Sequence, residues 1–344
     1  MNNQTLAVKY RPKDWKDLTE QEYIKVILEN QIETNSIKNA YLFTGPAGCG
    51  KTTSARIFAN RINEGQGNPI EVDAASNNGV EQIRVIIDDA KFKPLDSKYK
   101  IYILDECHML STGAWNAMLK LLEEPPKTTI FILCTTDPQK IPKTILSRVQ
   151  RYDFNKISLD GIVNRLRYIA EEEGMSLYDE DDMAGLKYIA KVSEGGMRDA
   201  ISMLDKCNSY SNEITVENVV KALGISDYDN LYKLLFLMCV GNKKNCIDII
   251  EDIYGQGKDL KLFIKQLIQF NLDVCKYLLY NSFDYIQIPN TMNLDQFKGG
   301  NADANYELLL HILNELINLS NQIKYEQNPK VLIESKVLLL CKGE

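Results

Sequence analysis

The stretch "AYLFTGPAGCGKTT", residues 40–53, decides the fold. An apolar, strand-like run leads into GPAGCGKT, which fits the pattern GxxxxGK[ST] in full, and the helical pattern TTSARIFAN follows it. The glycines let backbone N–H groups turn inward around a phosphate, and the N-terminus of the following helix adds partial positive charge. The spacing therefore predicts a phosphate-binding loop that holds a nucleotide.

Two side chains at the end of this loop carry the expected chemistry. Lys51 brings a positive charge to the β- and γ-phosphate oxygens, and the Thr52 hydroxyl coordinates Mg²⁺. The predicted nucleotide-contacting residues of the loop are Gly45, Pro46, Ala47, Gly48, Cys49, Gly50, Lys51, Thr52 and Thr53.

Four short apolar runs alternate with helical patterns over residues 40–155: "AYLFTG", "IEVDAA", "KIYILDE" and "TIFILCTT". Runs that are apolar nearly throughout are typical of strands buried on both faces of a parallel sheet. Strand and helix in alternation predict an α/β parallel-sheet domain. The strand signal then largely stops, and the remaining patterns are helical apart from a polar, Asn-rich loop over 289–303. We expect three domains, at 1–155, 156–223 and 224–344.

Acidic residues follow the third apolar run, in "KIYILDECH". Ligands of open α/β sheets bind at the carboxyl edge of the strands, so Asp105 is placed to hold Mg²⁺ and Glu106 to orient or deprotonate an attacking water. The alternative is an acidic strand end without a ligand, and His108 is expected only to pack or bond locally. In "ILCTTDPQKIP", Thr135 and Thr136 either hold the water or the γ-phosphate through a hydroxyl, or belong to a simple turn.

The composition excludes several classes of protein. Eight cysteines without a CxxC pair and only two histidines argue against a zinc site or a disulfide framework. No apolar run approaches the ~18 residues of a membrane span, and the N-terminal residues lack an apolar signal segment, so we expect a cytoplasmic location. The net charge is −7, but residues 1–155 carry 20 Lys+Arg against 19 Asp+Glu. Nucleic acid would therefore bind the N-terminal part.

The motifs, taken in order, resemble the gamma/tau subunit family of bacterial DNA polymerase III. The matching segments are "LAVKYRP", "GPAGCGKTT", "EVDAASNNGVEQIR", "YILDECHMLSTGAWNAMLKLLEEPP", "CTTDPQKIPKTILSRVQRYDF" and "SEGGMRDAISMLDK", and "NPKVLIESKVLLL" resembles the closing helix. The resemblance implies an AAA+ P-loop domain, a small helical lid domain and an all-helical collar domain. It further implies an ATPase that opens a sliding clamp and loads it on primer-template DNA.

The resemblance also implies residue roles. Gly45 to Thr53 correspond to the Walker A loop, and Asp105 with Glu106 to the Walker B pair. Thr136 corresponds to sensor 1, and Arg198 to sensor 2, which reaches the γ-phosphate of its own subunit; a surface salt bridge is the alternative for Arg198. Arg148 corresponds to the arginine that acts in trans on the neighbour's ATP. Tyr10, Arg11 and Pro12 lie where the family's N-terminal segment closes over base and ribose.

Three departures from the family pattern are visible. The span "NRINEGQGNPIEV" has no cysteine, whereas bacterial members usually carry a four-cysteine zinc module there, so ATP and Mg²⁺ are expected and zinc is not. The sequence ends at Glu344 without a tau extension. Val149 stands where the family has a cysteine, which leaves Arg148 in place. The first two departures indicate a compact form, as in a phage or a reduced system.

The expected partners are other loader subunits in a pentameric ring, the sliding clamp and primer-template DNA, without a membrane. Candidate DNA-phosphate contacts are Asn77, Asn78, Arg84, Lys91 and Lys93. The alternative is that these residues form an ordinary solvated helix face, which has the same charge pattern. Trp115, Met118 and Leu121 are expected in the core.

Two other functions fit a phosphate loop. A branch-migration motor of the AAA+ class needs a basic DNA-binding end, which the acidic C-terminal part lacks. A non-hydrolysing scaffold subunit is expected to have lost the phosphate-loop motif, whereas this chain has the complete motif.

Overall fold

A computed structural model describes residues 4–177, 183–224, 228–283, 286, 288, 292–298, 302–324, 326 and 328–341. The chain divides into two compact units, Met1–Val216 and Glu217–Glu344. The predicted boundary near residue 155 falls inside the first unit, so the three-domain division stays a prediction.

The first unit contains a five-stranded sheet in which all neighbouring strands are parallel. The strand order is β2-β3-β4-β1-β5. The strands are β1 (Ala40–Thr44), β2 (Ile70–Asp73), β3 (Lys100–Asp105), β4 (Thr129–Thr135) and β5 (Gln150–Asp153). Thr44 pairs with Thr135, and Leu104 pairs with Leu133. The carboxyl ends of the three central strands therefore meet at one edge.

All four predicted strands are confirmed, with two corrections. β2 was expected to be buried on both faces, but its residues are mostly exposed because it lies at the edge of the sheet. The fifth strand, β5, was missed because only Tyr152 of its four residues is buried, which leaves too short an apolar signal.

Alternate residues of the central strands build two separate cores, one on each face of the sheet. Tyr41, Phe43 and Ile103 belong to one core, while Leu42 and Leu104 belong to the other. Burial of each such side chain contributes about 1.5–3 kcal/mol. The expected core residues Trp115, Met118 and Leu121 are confirmed, since all three are buried in the second core.

Helices cover both faces of this sheet, and three more helices follow its last strand in the same unit. They are α1 (Leu6–Lys9), α2 (Glu22–Glu33), α3 (Lys51–Ile62), α4 (Val80–Ala90), α5 (Thr112–Glu123), α6 (Lys143–Leu146), α7 (Leu159–Glu172), α8 (Ala184–Val192) and α9 (Met197–Tyr210). Short 3₁₀ turns lie at Trp15–Asp17, Cys107–Met109 and Pro138–Lys140. Helix α5 ends at Glu123, just before Pro125 and Pro126, because proline disfavours a helical conformation in the residue that precedes it.

The second unit is helical throughout the part that the structure describes. Its helices are α10 (Val216–Leu223), α11 (Tyr228–Val240), α12 (Lys243–Gly255), α13 (Leu260–Tyr280), α14 (Ala302–Ile323) and α15 (Pro329–Leu340). The buried Asn271 amide donates to the Leu309 carbonyl at 3.0 Å and so joins α13 to α14. In the predicted Asn-rich loop, Leu294–Lys298 forms a 3₁₀ turn and α14 begins at Ala302, while 289–291 and 299–301 lie outside the described residues.

The described residues contain neither a metal-binding cluster nor a membrane-spanning helix. No group of three or more His, Cys, Asp and Glu side chains there is placed to hold a metal ion. Seven of the eight cysteines are buried thiols, and Cys239 is half-buried. None of the described helices is both long and apolar enough to cross a bilayer.

Gly185 offers a test of how α8 packs. It is buried inside this helix, where alanine would normally be favoured, but an added Cβ would lie 2.1 Å from the Ile214 carbonyl oxygen. We expect Gly185→Ala to lower the free energy of unfolding by about 1–3 kcal/mol. Gly255→Ala, where an added Cβ has open space, is the control and should be neutral or slightly stabilising. Thermal unfolding followed by circular dichroism measures both, and equal melting temperatures would contradict this packing.

Candidate nucleotide-binding site

The loop between β1 and α3 has the backbone that a phosphate cradle needs. Gly45 has φ of +148° and Gly48 has φ of +71°, a region in which side chains are strained. Both positions are also crowded. A Cβ on Gly45 would lie 2.4 Å from the Phe154 carbonyl oxygen, and one on Gly48 would lie 3.0 Å from the Gly196 Cα. The chain passes so close at these points that only glycine fits.

Lys51 begins α3 and is buried beneath this loop. Its Nζ donates to the Gly45 carbonyl at 2.8 Å and to the Pro46 carbonyl at 2.7 Å. These acceptors are neutral, and no carboxylate among the described residues pairs with this ammonium. A buried cation held only by neutral carbonyls is placed to receive an anionic ligand.

The two predicted metal ligands are in direct contact. The Thr52 hydroxyl donates to Asp105 Oδ2 at 2.8 Å, and Asp105 Oδ1 accepts the Glu106 backbone N–H at 3.0 Å. A hydroxyl and a carboxylate side by side are oxygen ligands of the kind that Mg²⁺ prefers. The donor set therefore fits Mg²⁺ bound through Thr52 and Asp105 together with waters and phosphate oxygens.

Glu106 stands beside this pair in a left-handed backbone conformation, with φ 47° and ψ 42°. Such a conformation costs a non-glycine residue about 1–2 kcal/mol and is found where function requires it. The Thr136 hydroxyl donates to Glu106 Oε2 at 2.9 Å. The structure thus brings the predicted sensor residue onto the predicted catalytic carboxylate.

His108 also reaches this carboxylate. Its Nδ1 lies 3.3 Å from Glu106 Oε2 and 3.1 Å from Thr135 Oγ1. The sequence predicted that His108 packs or bonds locally, but it did not identify these two partners. The spacing of His108, three residues after Asp105, could have indicated this contact. A tight turn at that point brings the imidazole ring back over the end of the strand.

The N-terminal segment is fastened to the helices that follow the sheet. Lys9 Nζ lies 2.6 Å from Glu173 Oε1, and the Tyr10 hydroxyl donates to the same oxygen. An Arg165 N–H donates to the Tyr10 carbonyl at 2.9 Å, and the Leu6 N–H donates to Asp205 Oδ2 at 3.0 Å. Hydrogen bonds from Lys9 and Tyr10 lower the pKa of Glu173 below its usual 4.5, while burial raises the pKa of Tyr10.

A cavity of about 430 Å³ lies between this segment, the phosphate loop and the start of α9. That volume is in the range of small-molecule sites. Arg11 and Arg198 line it, and so does Arg56, which the sequence interpretation did not single out. Burial, and then repulsion from Arg56 and Arg198, lowers the pKa of Arg11. Several cations around one cavity favour a polyanionic ligand.

Most predicted site residues line this cavity. They are Tyr10, Arg11, Pro12, Ala47, Gly48, Cys49, Gly50, Lys51, Thr52, Thr53, Asp105, Glu106 and Arg198. The backbone of α9 also touches the loop directly, since the Met197 N–H donates to the Gly48 carbonyl at 3.1 Å.

Arg148 lies elsewhere. Its guanidinium donates to Glu123 Oε1 on α5 at 2.6 Å, and to the Thr144 carbonyl at 2.6 Å. It does not line the cavity of its own chain. Whether Arg148 acts on a neighbour stays a prediction.

The candidate DNA contacts lie on and around α4. Arg84 and Lys91 are exposed but pair with acidic residues one turn earlier on the same surface. Asn78 and Lys93 are exposed, whereas Asn77 is half-buried and donates its backbone N–H to Asp73 at 3.0 Å. The contacts of these five residues with DNA stay a prediction.

Comparison with known proteins places the chain in a family. The model for the clamp loader subunit ATPase lid domain of DNA polymerase III matches residues 161–213, and that for domain III of its gamma and tau subunits matches 214–292. The model for the DNA polymerase III delta subunit matches 68–158. The DNA polymerase III gamma subunit of Buchnera aphidicola subsp. Schizaphis graminum is 32% identical over 98% of this chain and 98% of its own length. This chain belongs to the DNA polymerase III gamma/tau family.

Other gamma/tau relatives are longer than this chain. The tau subunit of Bacillus subtilis is 36% identical over 99% of this chain but only 64% of its own length. The tau subunit of Escherichia coli is 32% identical over 78% of this chain and 44% of its own length.

Solved structures confirm the AAA+ P-loop fold that the gamma/tau resemblance implied. The RuvB Holliday junction branch migration motor of Thermotoga maritima superposes with a TM-score of 0.53 over 66% of this chain and 78% of that one. At 20% identity, this likeness shows a shared fold alone.

Glu173 provides a test of the N-terminal segment. We expect Glu173→Gln to weaken ATP binding about threefold to tenfold, because the partly exposed contacts from Lys9 and Tyr10 that hold the segment over the cavity lose their charged acceptor. Because the ionised carboxylate makes this contact, it is present above pH 4.5 and is lost as the pH falls through the lowered pKa. Titration with a fluorescent ATP analogue measures the affinity. Glu172→Gln, an exposed neighbour, is the matched control, and equal affinities for the two variants would contradict the role.

Proposed function

We propose that this chain is the ATP-hydrolysing subunit of a clamp loader, which opens a sliding clamp and loads it on primer-template DNA. The observation that carries the proposal is the joint placement of Lys51, the Thr52–Asp105 pair and the Thr136–Glu106 pair at one edge of the sheet. Membership of the gamma/tau family supports the biological setting.

Each residue group has a distinct task in this proposal. The loop N–H groups and Lys51 bind the phosphates, while Thr52 and Asp105 hold Mg²⁺, which neutralises charge on the phosphate oxygens. Glu106 orients or deprotonates the attacking water, with Thr136 holding one of its oxygens. Arg198 supplies positive charge from α9. Tyr10, Arg11 and Pro12 close over the base and ribose.

Two other functions are less well supported. A non-hydrolysing scaffold would not need the complete set of loop, metal pair and positioned carboxylate described above. The likeness to the branch-migration motor extends to the fold alone, whereas the likeness to gamma subunits covers nearly the whole of both chains.

The proposal extends to partners and location. We expect further loader subunits in a pentameric ring, a clamp and primer-template DNA, with DNA phosphates contacted from the α4 region. Because the proposed substrate is replicating DNA, we expect the protein in the cytoplasm. The three-domain division at 1–155, 156–223 and 224–344 belongs to the same proposal, as does the expectation that zinc is not required.

Arg148 is proposed to act on the neighbouring subunit's ATP. Its own cavity already contains Lys51, Arg11 and Arg198, and Arg148 lies outside it. An arginine supplied across a subunit boundary would make hydrolysis depend on assembly, as arginine fingers do.

Glu106→Gln tests the central claim. We expect the turnover rate to fall about 10²–10⁴-fold, because the amide cannot accept a proton, while ATP still binds. Lys51→Ala should instead lose ATP binding. The measurement is ATP hydrolysis by the assembled loader with clamp and primed DNA, beside binding of labelled ATP. If clamp and primed DNA together do not stimulate ATP hydrolysis by the wild-type loader, the proposed function is wrong.

A mixing experiment tests Arg148. Subunits carrying Arg148→Ala keep their own site but donate no arginine, whereas Lys51→Ala subunits donate the arginine but bind no ATP. We expect each loader alone to be slowed about 10³-fold or more, and mixed loaders to recover activity. Arg167→Ala, on an exposed surface pair, is the control and should hydrolyse normally. Failure of the mixture to recover would argue against action in trans.

A further inference from the structure

Glu106 has to hold one orientation although two features work against it. Its backbone is in the left-handed region, and its side chain is more than a third exposed, at 37%. A mobile carboxylate would spend much of its time away from the water that it must orient. The neighbouring side chains therefore decide whether it is positioned.

Two side chains contact one oxygen of this carboxylate. The Thr136 hydroxyl donates to Oε2 at 2.9 Å, and His108 Nδ1 lies 3.3 Å from the same atom. This arrangement leaves Oε1 available to a water. The sequence predicted that Thr136 holds the water or the γ-phosphate and that His108 packs or bonds locally.

The surroundings of His108 favour one tautomer. If Nδ1 carried a lone pair, that lone pair would lie 3.3 Å from an anionic oxygen, which is repulsive. A proton on Nδ1 makes the same contact attractive, while Nδ1 forms its hydrogen bond with Thr135 Oγ1 at 3.1 Å. Thr135 Oγ1 is itself fixed, because it accepts the Asp137 N–H at 3.0 Å.

The imidazole is also anchored through its own backbone. His108 sits in the 3₁₀ turn Cys107–Met109, which is closed by the Met109 N–H donating to the Glu106 carbonyl at 2.9 Å. Its side chain is only 12% exposed. The turn that strains Glu106 is therefore the turn that presents His108 to it.

We propose that His108 is a positioning residue for Glu106: its imidazole, fixed by the Nδ1–Thr135 Oγ1 hydrogen bond, attracts Oε2 across a 3.3 Å contact so that Oε1 faces the attacking water. The inference rests on the proposed ATPase function. A role in stability alone is a weaker explanation, because a partly exposed contact of this kind contributes little to folding.

Three substitutions separate positioning from packing. Asparagine places its amide nitrogen two bonds from Cβ, where Nδ1 stands, whereas glutamine places its nitrogen one bond further out, and alanine has none. We expect His108→Ala and His108→Gln to lower kcat about tenfold, the effect of losing one polar contact that orients a charged group. His108→Asn should stay within about threefold of the wild type. KM and ATP binding should be unchanged in all three.

Steady-state hydrolysis by the assembled loader gives kcat and KM, and thermal unfolding shows that each variant is folded. If His108→Ala does not fold, the comparison of asparagine with glutamine still decides, since both are polar and of similar size. Equal kcat values for these two, or a wild-type rate for His108→Ala, would overturn the proposal.

A double variant links the effect to the carboxylate. Once Glu106→Gln has removed the carboxylate, adding His108→Ala should cause no further loss, because residues that act as a unit are not additive. A further tenfold loss would mean that His108 acts elsewhere. Normal hydrolysis by Glu106→Gln would overturn the proposed function itself, whereas normal hydrolysis by His108→Ala beside an inactive Glu106→Gln would overturn only the role of His108.

Discussion

The parallel register of the three central strands is the constraint on which the rest of the site depends. β1 ends at Thr44, opposite Thr135 of β4. On the other side of β4, Leu104 of β3 lies opposite Leu133, and β3 ends at Asp105. Because these strands share a direction and end together, the residues that follow them in sequence meet in space. Thr52, Asp105 and Thr136 come from three separate segments, and only this alignment makes them one site. The two cores on the faces of the sheet hold the register.

Local sequence predicted much of this arrangement. The spacing of glycines and Lys51 between a strand and a helix predicted the loop, and the apolar run before Asp105 predicted its place at the sheet edge. Both are properties of a few adjacent residues. The helical character of the chain after residue 225 followed from apolar periodicity in the same way. The exposed edge strand β2 was expected to be buried, because its burial depends on its place in the sheet.

The unexpected residues share a physical origin. His108, Arg56 and Glu173 take part in the site through contacts that cross from one segment of the chain to another. No local pattern marks Arg56 or Glu173, and the local signal for His108 is its spacing from Asp105. Their roles appear only when the fold brings a carboxylate, a cavity or the N-terminal segment next to them.

The contact between Gly48 and Met197 joins the phosphate loop to α9 through main-chain atoms on both sides. A hydrogen bond between backbone groups carries no side-chain identity, so substitutions around it cannot delete it without also moving the chain. The contact depends instead on the absence of a Cβ at Gly48, because an added Cβ would lie only 3.0 Å from the Gly196 Cα. The position of α9 beside the phosphate loop is therefore set by the shape of the main chain and not by the identity of the side chains around it.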